Sequence, residues 1–197
     1  MKYPRLAVLL AAVVVLPAWA ALKQGDKAPD FSAQASLAGK TFEFSLASAL
    51  RHGPVVVYFY PSAFTEGCNV QAHEFAVNMD KFQAAGATVI GVSLDNIIRL
   101  NAFSADPKYC AGKVPVASDP DGKIANAYQL KIDPEEHGFK DTRGIEVGHG
   151  FTERTTFVVS PRGLITAAIG GLGSAENVAL ALAESQRLAA TAKPVKP

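Results

Sequence analysis

The chain has 197 residues, 49% of them hydrophobic and 19% charged, with 19 Lys and Arg against 18 Asp and Glu. That length allows one domain with a substantial core and leaves no room for two comfortable ones, and the composition excludes a disordered chain. A net charge of +1, with no basic stripe, gives no electrostatic footprint for nucleic acid or an anionic membrane as a partner.

Residues 1–20 carry Lys2 and Arg5, the apolar run Leu6 to Leu16, and then Pro17-Ala18-Trp19-Ala20. A basic start, an apolar run and an Ala-x-Ala site make a secretory signal peptide, with cleavage expected after Ala20. The run is shorter than the roughly 18 to 20 apolar residues a membrane span needs, so no membrane attachment is expected after cleavage. Export, for a bacterium to the periplasm, implies a compartment where disulfides persist. Cys68 and Cys110 are the two cysteines. They are too few for a disulfide scaffold, so chemistry explains them better.

Ala21 to Pro29 is polar. Phe31–Ser36 and Thr41–Phe44, joined by Leu37-Ala38-Gly39-Lys40, read as a hairpin. Ser45 can cap a short helix to Arg51, ended by His52-Gly53-Pro54. Val55–Tyr60 is apolar at every residue, as in a strand covered on both faces, and Pro61 stops it. With Thr65 as N-cap, a helix apolar at Val70, Phe75, Val77, Met79 and Phe82 follows, to a C-cap at Gly86. Ala87–Ser93 is a second buried strand, and Asp95 can cap a helix from Asn96 to Ser104. A short strand at Val114–Ala117, the turn Ser118–Gly122 and a helix from Lys123 to about Leu130 come next. Residues 131–152 are glycine-rich and charged and read as a loop or insertion. Thr155–Ser160 and Leu164–Ile169, around the turn Pro161-Arg162-Gly163, form an antiparallel pair. A final amphipathic helix covers Ser174–Ala190, and residues 191–197 are a frayed tail.

Alternating strands and helices predict an α/β domain over residues 21–190, with a mixed sheet whose centre is parallel. A helix bearing Cys68 in its first turn, just past a central strand, and a closing hairpin plus helix give this the plan of a thioredoxin-like fold with an N-terminal hairpin extension. The unpaired N–H groups and the positive dipole end of that helix favour a thiolate. Gly67 and the residues Asn69 to Gln71 supply no neighbouring sulfur, which excludes a Cys-x-x-Cys dithiol site.

The pattern Pro61-x-x-x-Thr65-x-x-Cys68, with Arg154 ahead of Thr155-Thr156-Phe157-Val158-Val159, resembles the active-site motif of the peroxiredoxin family. Tyr58-Phe59-Tyr60-Pro61, Gly67, Phe75 and Ser118–Lys123 look most like its bacterioferritin comigratory protein or PrxQ branch, a resemblance that covers about Leu22 to Leu188. It implies a thiol peroxidase acting on hydrogen peroxide or organic hydroperoxides. Cys68 would be the nucleophile, and Arg154 would offer a fork of donors to sulfur and peroxide. Thr65 would orient one oxygen, Pro61 would shield the sulfur, and the N–H groups of Gly67 and Cys68 would meet the developing charge. No cofactor or metal is implied, the partner reductant is a thioredoxin-like dithiol protein, and a monomer is expected.

Relatives of this branch often carry a resolving cysteine five residues after the first, where this chain has His73. Others place it on or after the next helix, which is where Cys110 stands, so Cys110 is expected to resolve the Cys68 sulfenic acid as an intramolecular disulfide. The rival readings are a one-cysteine peroxidase using an external thiol, a protein-disulfide reductase or cytochrome-maturation factor, and a non-catalytic binding module. His52, His73, His137 and His149 lack metal-ligand spacing. His73 is a candidate for tuning Cys68, and His149 for the pocket edge. Arg99 and Arg162 read as surface charges, and Gly170-Gly171-Leu172-Gly173 as a turn.

Overall fold

The computed structural model describes residues 21–192 of the chain. The expected signal peptide and the end of the expected tail lie outside the described residues. Seven strands form one sheet: β1 (Ser32–Leu37), β2 (Lys40–Ser45), β3 (Val55–Phe59), β4 (Thr88–Ser93), β5 (Val116–Ser118), β8 (Thr155–Val159) and β9 (Ile165–Gly170). Their order across it is β2-β1-β5-β4-β3-β8-β9. β3, β4 and β5 run parallel, while β8 lies antiparallel to β3 and β9 to β8. The N-terminal hairpin is not an appendage. β1 pairs antiparallel with β5 through Ala35 and Ser36, so the hairpin extends the main sheet.

The uninterrupted apolar run of β3 follows from having a core on each face. Val56, Tyr58 and Tyr60 enter the core that also holds residues of α2 (Glu66–Ala84), α3 (Ile97–Ala105) and α5 (Ser174–Ala192). Val55, Val57 and Phe59 enter the opposite core, shared with α1 (Leu46–Leu50) and α4 (Lys123–Ala127). The position of α2 above the sheet is set by a stack of rings. Tyr58 lies against Phe75 of α2 at a centroid distance of 4.3 Å, and Phe75 meets Phe82 at 5.5 Å. Gly91 of β4 makes room for this, since a Cβ there would stand 2.5 Å from Tyr58 Cζ.

Two details of α2 differ from the sequence expectation. Val70 and Val77 are exposed, whereas Gln71, Ala72 and Ala76 are buried with Phe75, Met79 and Phe82. The helix ends at a C-cap on Ala85, and Gly86 follows at φ +70°, the left-handed residue that lets the chain turn into β4. α5 extends to Ala192, past the expected end at Ala190.

Residues 131–152 leave the main sheet and return to it. β6 (Ile132–Asp133) and β7 (Phe151–Thr152) pair antiparallel at the base of this excursion, and a bridge joins Lys140 to Glu146 farther out. Its inner side lies on the loop between β3 and α2, where the site is built.

Candidate active site

Cys68 is the third residue of α2 and only 2% exposed. The first backbone bond of the helix runs from Asn69 N to Thr65 O at 2.8 Å. The N–H groups of Glu66, Gly67 and Cys68 therefore have no helical acceptor. Thr65 is the N-cap residue, but its side chain makes no capping bond. Its hydroxyl instead donates backwards to Ser62 O at 2.8 Å. The helix end stays open beside the sulfur, and the Thr65 oxygen keeps its lone pairs for an incoming donor.

Arg154 stands immediately before β8. The register Phe59 to Thr155 brings it to the carboxyl end of β3, where the chain turns towards α2. Its Nη2 donates to Cys68 Sγ at 3.3 Å, and its Nη1 donates to Gln71 Oε1. Gln71 in turn donates to Asn177 Oδ1 at 3.1 Å. Asn177, on α5, also accepts from Thr156 and donates to Ile169 O at 2.9 Å. The guanidinium is thus held by a fully buried amide pair spanning α2, α5 and two strands, which fixes its fork relative to the sulfur. Sequence reading missed Gln71 and Asn177. Their one signal is a polar residue on the buried side of each helix.

Gly67 has its own reason. A Cβ there would lie 3.1 Å from Arg154 Nη2 and 3.6 Å from Ser174 Oγ, and Ser174 Oγ donates to Gly67 O at 2.7 Å. A side chain at this position would crowd the guanidinium away from Cys68. Pro61 is half-buried at the start of the loop and Thr65 half-buried at its end.

The loop between them is held from the far side by charged groups. Asp95 is fully buried and does not cap α3; that cap is Asn96, which accepts from Arg99 N at 2.9 Å. Asp95 instead accepts from Ser62 Oγ at 2.9 Å and from Ala63 N at 2.7 Å. Arg99 is no surface charge. Its side chain is 11% exposed, with Nε 2.8 Å from Asp95 Oδ1 and Nη2 2.8 Å from Asp141 Oδ2. Its Nη2 also donates to Ala63 O. The excursion contributes further contacts. Thr142 Oγ1 donates to Phe64 O at 2.8 Å, and Arg143 sits over the Phe64 ring at 3.3 Å. Phe64 needs that support, because its φ of +62° is a left-handed conformation that a bulky residue adopts at a cost.

Cys110 follows α3 in a turn and is wholly buried in the same core cluster as Cys68. Both thiols are free. Burial pushes the Cys110 thiol far above its usual range, and the nearby Asp106 carboxylate adds to the shift. The turn is anchored by Lys113 N and Val114 N donating to Cys110 O. It contains Ala111 at φ +52° and Gly112 at φ +66°. His73, exposed on α2, places Nδ1 3.2 Å from Lys108 O, so its ring is engaged with the turn that carries Cys110.

Residues 24–168 match the AhpC/TSA family. The chain is 31% identical over 141 residues to the peroxiredoxin Bcp of Xanthomonas campestris, covering 72% of this chain and 80% of that one. Among solved structures it is similar to the peroxidoxin BcpB of Mycobacterium tuberculosis, with a TM-score of 0.69 at 25% identity over 85% of this chain and 98% of that one. It is also similar to Xanthomonas campestris peroxiredoxin Q, with a TM-score of 0.63 at 28% identity over 79% and 90%. An uncapped helix end carrying a thiol, a guanidinium fixed on that thiol and these likenesses agree, and the chain belongs to the AhpC/TSA family of peroxiredoxins.

Proposed function

We propose that this protein reduces peroxides through Cys68, with Cys110 completing the cycle. The Cys68 thiolate attacks one peroxide oxygen in line; an S–O bond forms as the O–O bond breaks. The departing oxygen leaves as hydroxide or alkoxide and takes a proton, and Cys68 is left as a sulfenic acid. Arg154 stabilises the thiolate and the growing charge, joined by the free N–H groups of Gly67 and Cys68. Thr65 accepts a hydrogen bond from the peroxide O–H through its unused lone pairs, and Pro61 keeps water from the sulfur.

The Cys110 sulfur then attacks the sulfenic sulfur as its thiol gives up its proton; an S–S bond forms while the S–O bond breaks, and the departing hydroxide takes a proton to leave as water. A thioredoxin-like dithiol protein returns both thiols. Because Cys110 is buried and its thiol is held protonated, this step follows local opening of the turn after α3 and of the first turns of α2. The same burial favours the second reading, in which an external thiol attacks the sulfenic acid directly. The bacterioferritin comigratory protein of Xanthomonas campestris, whose structure is similar to this one, has alkyl peroxide reduction activity, and organic hydroperoxides are proposed as substrates here too. We also propose export to the periplasm as a monomer; a shortened mature chain in the periplasmic fraction, eluting at monomer mass, is the expected outcome.

The observation that carries the reading is the 3.3 Å contact between Arg154 Nη2 and Cys68 Sγ at an open helix end. Peroxide consumption with a thioredoxin system, followed by mass mapping of thiols, tests it. A Cys68–Cys110 disulfide after one equivalent of peroxide is expected. A Cys68 sulfenic acid that persists until an external thiol is added supports the second reading, and a Cys68→Ser protein as active as wild type overturns both.

A further inference from the structure

The buried Asp95 carboxylate receives groups from four parts of the chain. Ser62 Oγ and Ala63 N come from the loop before Cys68, Ser93 Oγ from the end of β4 at 2.7 Å, and Arg99 Nε from α3. The fourth part is the excursion, whose His149 places Nε2 2.9 Å from Asp95 Oδ1. On its other side, His149 Nδ1 lies 2.7 Å from Gly150 O. A backbone carbonyl can only accept, and so can a carboxylate already facing an amide N–H and a guanidinium. Both imidazole nitrogens therefore need protons, and the geometry calls for an imidazolium.

The contacts continue to the reacting atoms. Asp95 holds Ser62 and Ala63, Ser62 O takes the Thr65 hydroxyl, and Thr65 O takes the first backbone N–H bond of the Cys68 helix. We propose that Asp95 and His149 are positioning residues for peroxide reduction, an ion pair that keeps the Thr65 hydroxyl directed to Ser62 and its lone pairs open to the peroxide. This rests on Cys68 being the attacking thiol. Neither residue touches the substrate.

The groups facing His149 are Asp95 beyond β4 and Arg99 on α3, with Asp141 and Arg143 of its own segment paired behind Arg99. Tyr60, from the end of β3, faces Asp95 from the core side. Burial alone would lower the His149 pKa, but the hydrogen bond and charge of Asp95 outweigh it and hold the pKa above its ordinary value. Burial would likewise raise Asp95, yet the His149 contact and the Ala63 and Ser93 donors hold it below the ordinary carboxylate value. A pKa raised on folding means the contact is complete at low pH and is lost as pH rises through the raised value. Above it, one of the two His149 acceptors loses its hydrogen, and the carboxylate that holds Ser62 and Ala63 faces a neutral ring in place of a cation.

Two rates measured on the reduced protein test this. Oxidation of Cys68 by hydrogen peroxide depends on Thr65, whereas alkylation by iodoacetamide reports only the available thiolate. Both are followed by mass spectrometry between about pH 6 and about pH 10, and NMR of the imidazole gives the His149 midpoint in the same buffers. In wild type, the ratio of the peroxide rate to the iodoacetamide rate is expected to fall by at least about tenfold as pH passes that midpoint. In His149→Gln, which can still donate to Asp95 but does not titrate, the ratio is expected to be flat with pH. A wild-type ratio flat through the midpoint overturns the proposal, and this result needs no variant to fold. An equal fall in wild type and His149→Gln overturns it as well. If Cys68 is alkylated normally yet resists peroxide at every pH, Cys68 is not the attacking thiol, and the proposal falls with that reading.

Discussion

Cys68 and Cys110 are both buried, both free thiols and both part of one core cluster, yet their surroundings point to opposite chemistry. Cys68 has a guanidinium at 3.3 Å and a helix end whose N–H groups are unpaired. Cys110 sits in apolar surroundings with Asp106 as the nearby charge, and its thiol is held protonated. Burial alone makes a cysteine inert, because desolvation penalises the thiolate. What separates the two is fixed positive charge, placed by elements far apart in sequence.

Serine substitutions test the contrast most strongly. Cys68→Ser should remove peroxide turnover by at least about a thousandfold, since the proposed reaction runs through that thiol. Cys110→Ser should leave the first oxidation of Cys68 within about twofold and abolish only the intramolecular disulfide. Coupled peroxide assays with thiol mapping read both. Arg154→Lys comes next. It keeps the charge but loses the fork that reaches sulfur and Gln71 together, and single-turnover oxidation of Cys68 should slow about a hundredfold.

Cys110 also leaves a pH signature. A thiol pKa raised on folding means the native state keeps a proton that the unfolded chain releases. Its contribution is present below the unfolded value of about 8.5 and is lost as pH rises above it. Stability should fall there by up to about 1.4 kcal/mol per pH unit. Urea melts at two alkaline pH values should show that slope in wild type and a shallower one in Cys110→Ala. Gly67→Ala should slow the peroxide reaction less than Arg154→Lys does. The added Cβ meets Arg154 Nη2 at 3.1 Å, so the peroxide rate should drop about tenfold. Helix propensity favours Ala by roughly 0.5 to 1 kcal/mol, so the melting point should hold or rise. Loss of rate together with loss of stability would instead point to general damage.

The strand, loop and helix around Cys68 were legible in the sequence because their signals are local. An unbroken apolar run, a proline stop and a helix start each lie within a few residues. Arg154 was legible only through its motif, since its contact with Cys68 spans 86 residues. The polar network was not legible. Asp95 read as a helix cap and Arg99 as a surface charge because a carboxylate at a helix start and an arginine on a helix ordinarily serve those roles. Only the folded chain shows both turned inward on Ser62 and Ala63. Residues 131–152 read as a loop from their glycines and charges; Thr142, Arg143 and His149 make that segment the brace of the Phe64 loop. Val70 and Val77 fit a helical period yet face solvent, since period alone does not say which side the buried polar Gln71 takes.

The most direct test oxidises the reduced protein with less than one equivalent of hydrogen peroxide, quenches with an alkylating agent and maps the modified thiols over time. Cys68 should be oxidised at least about a hundredfold faster than Cys110 is in the Cys68→Ser protein. Equal rates for the two thiols would contradict the assignment of Cys68 as the attacking thiol.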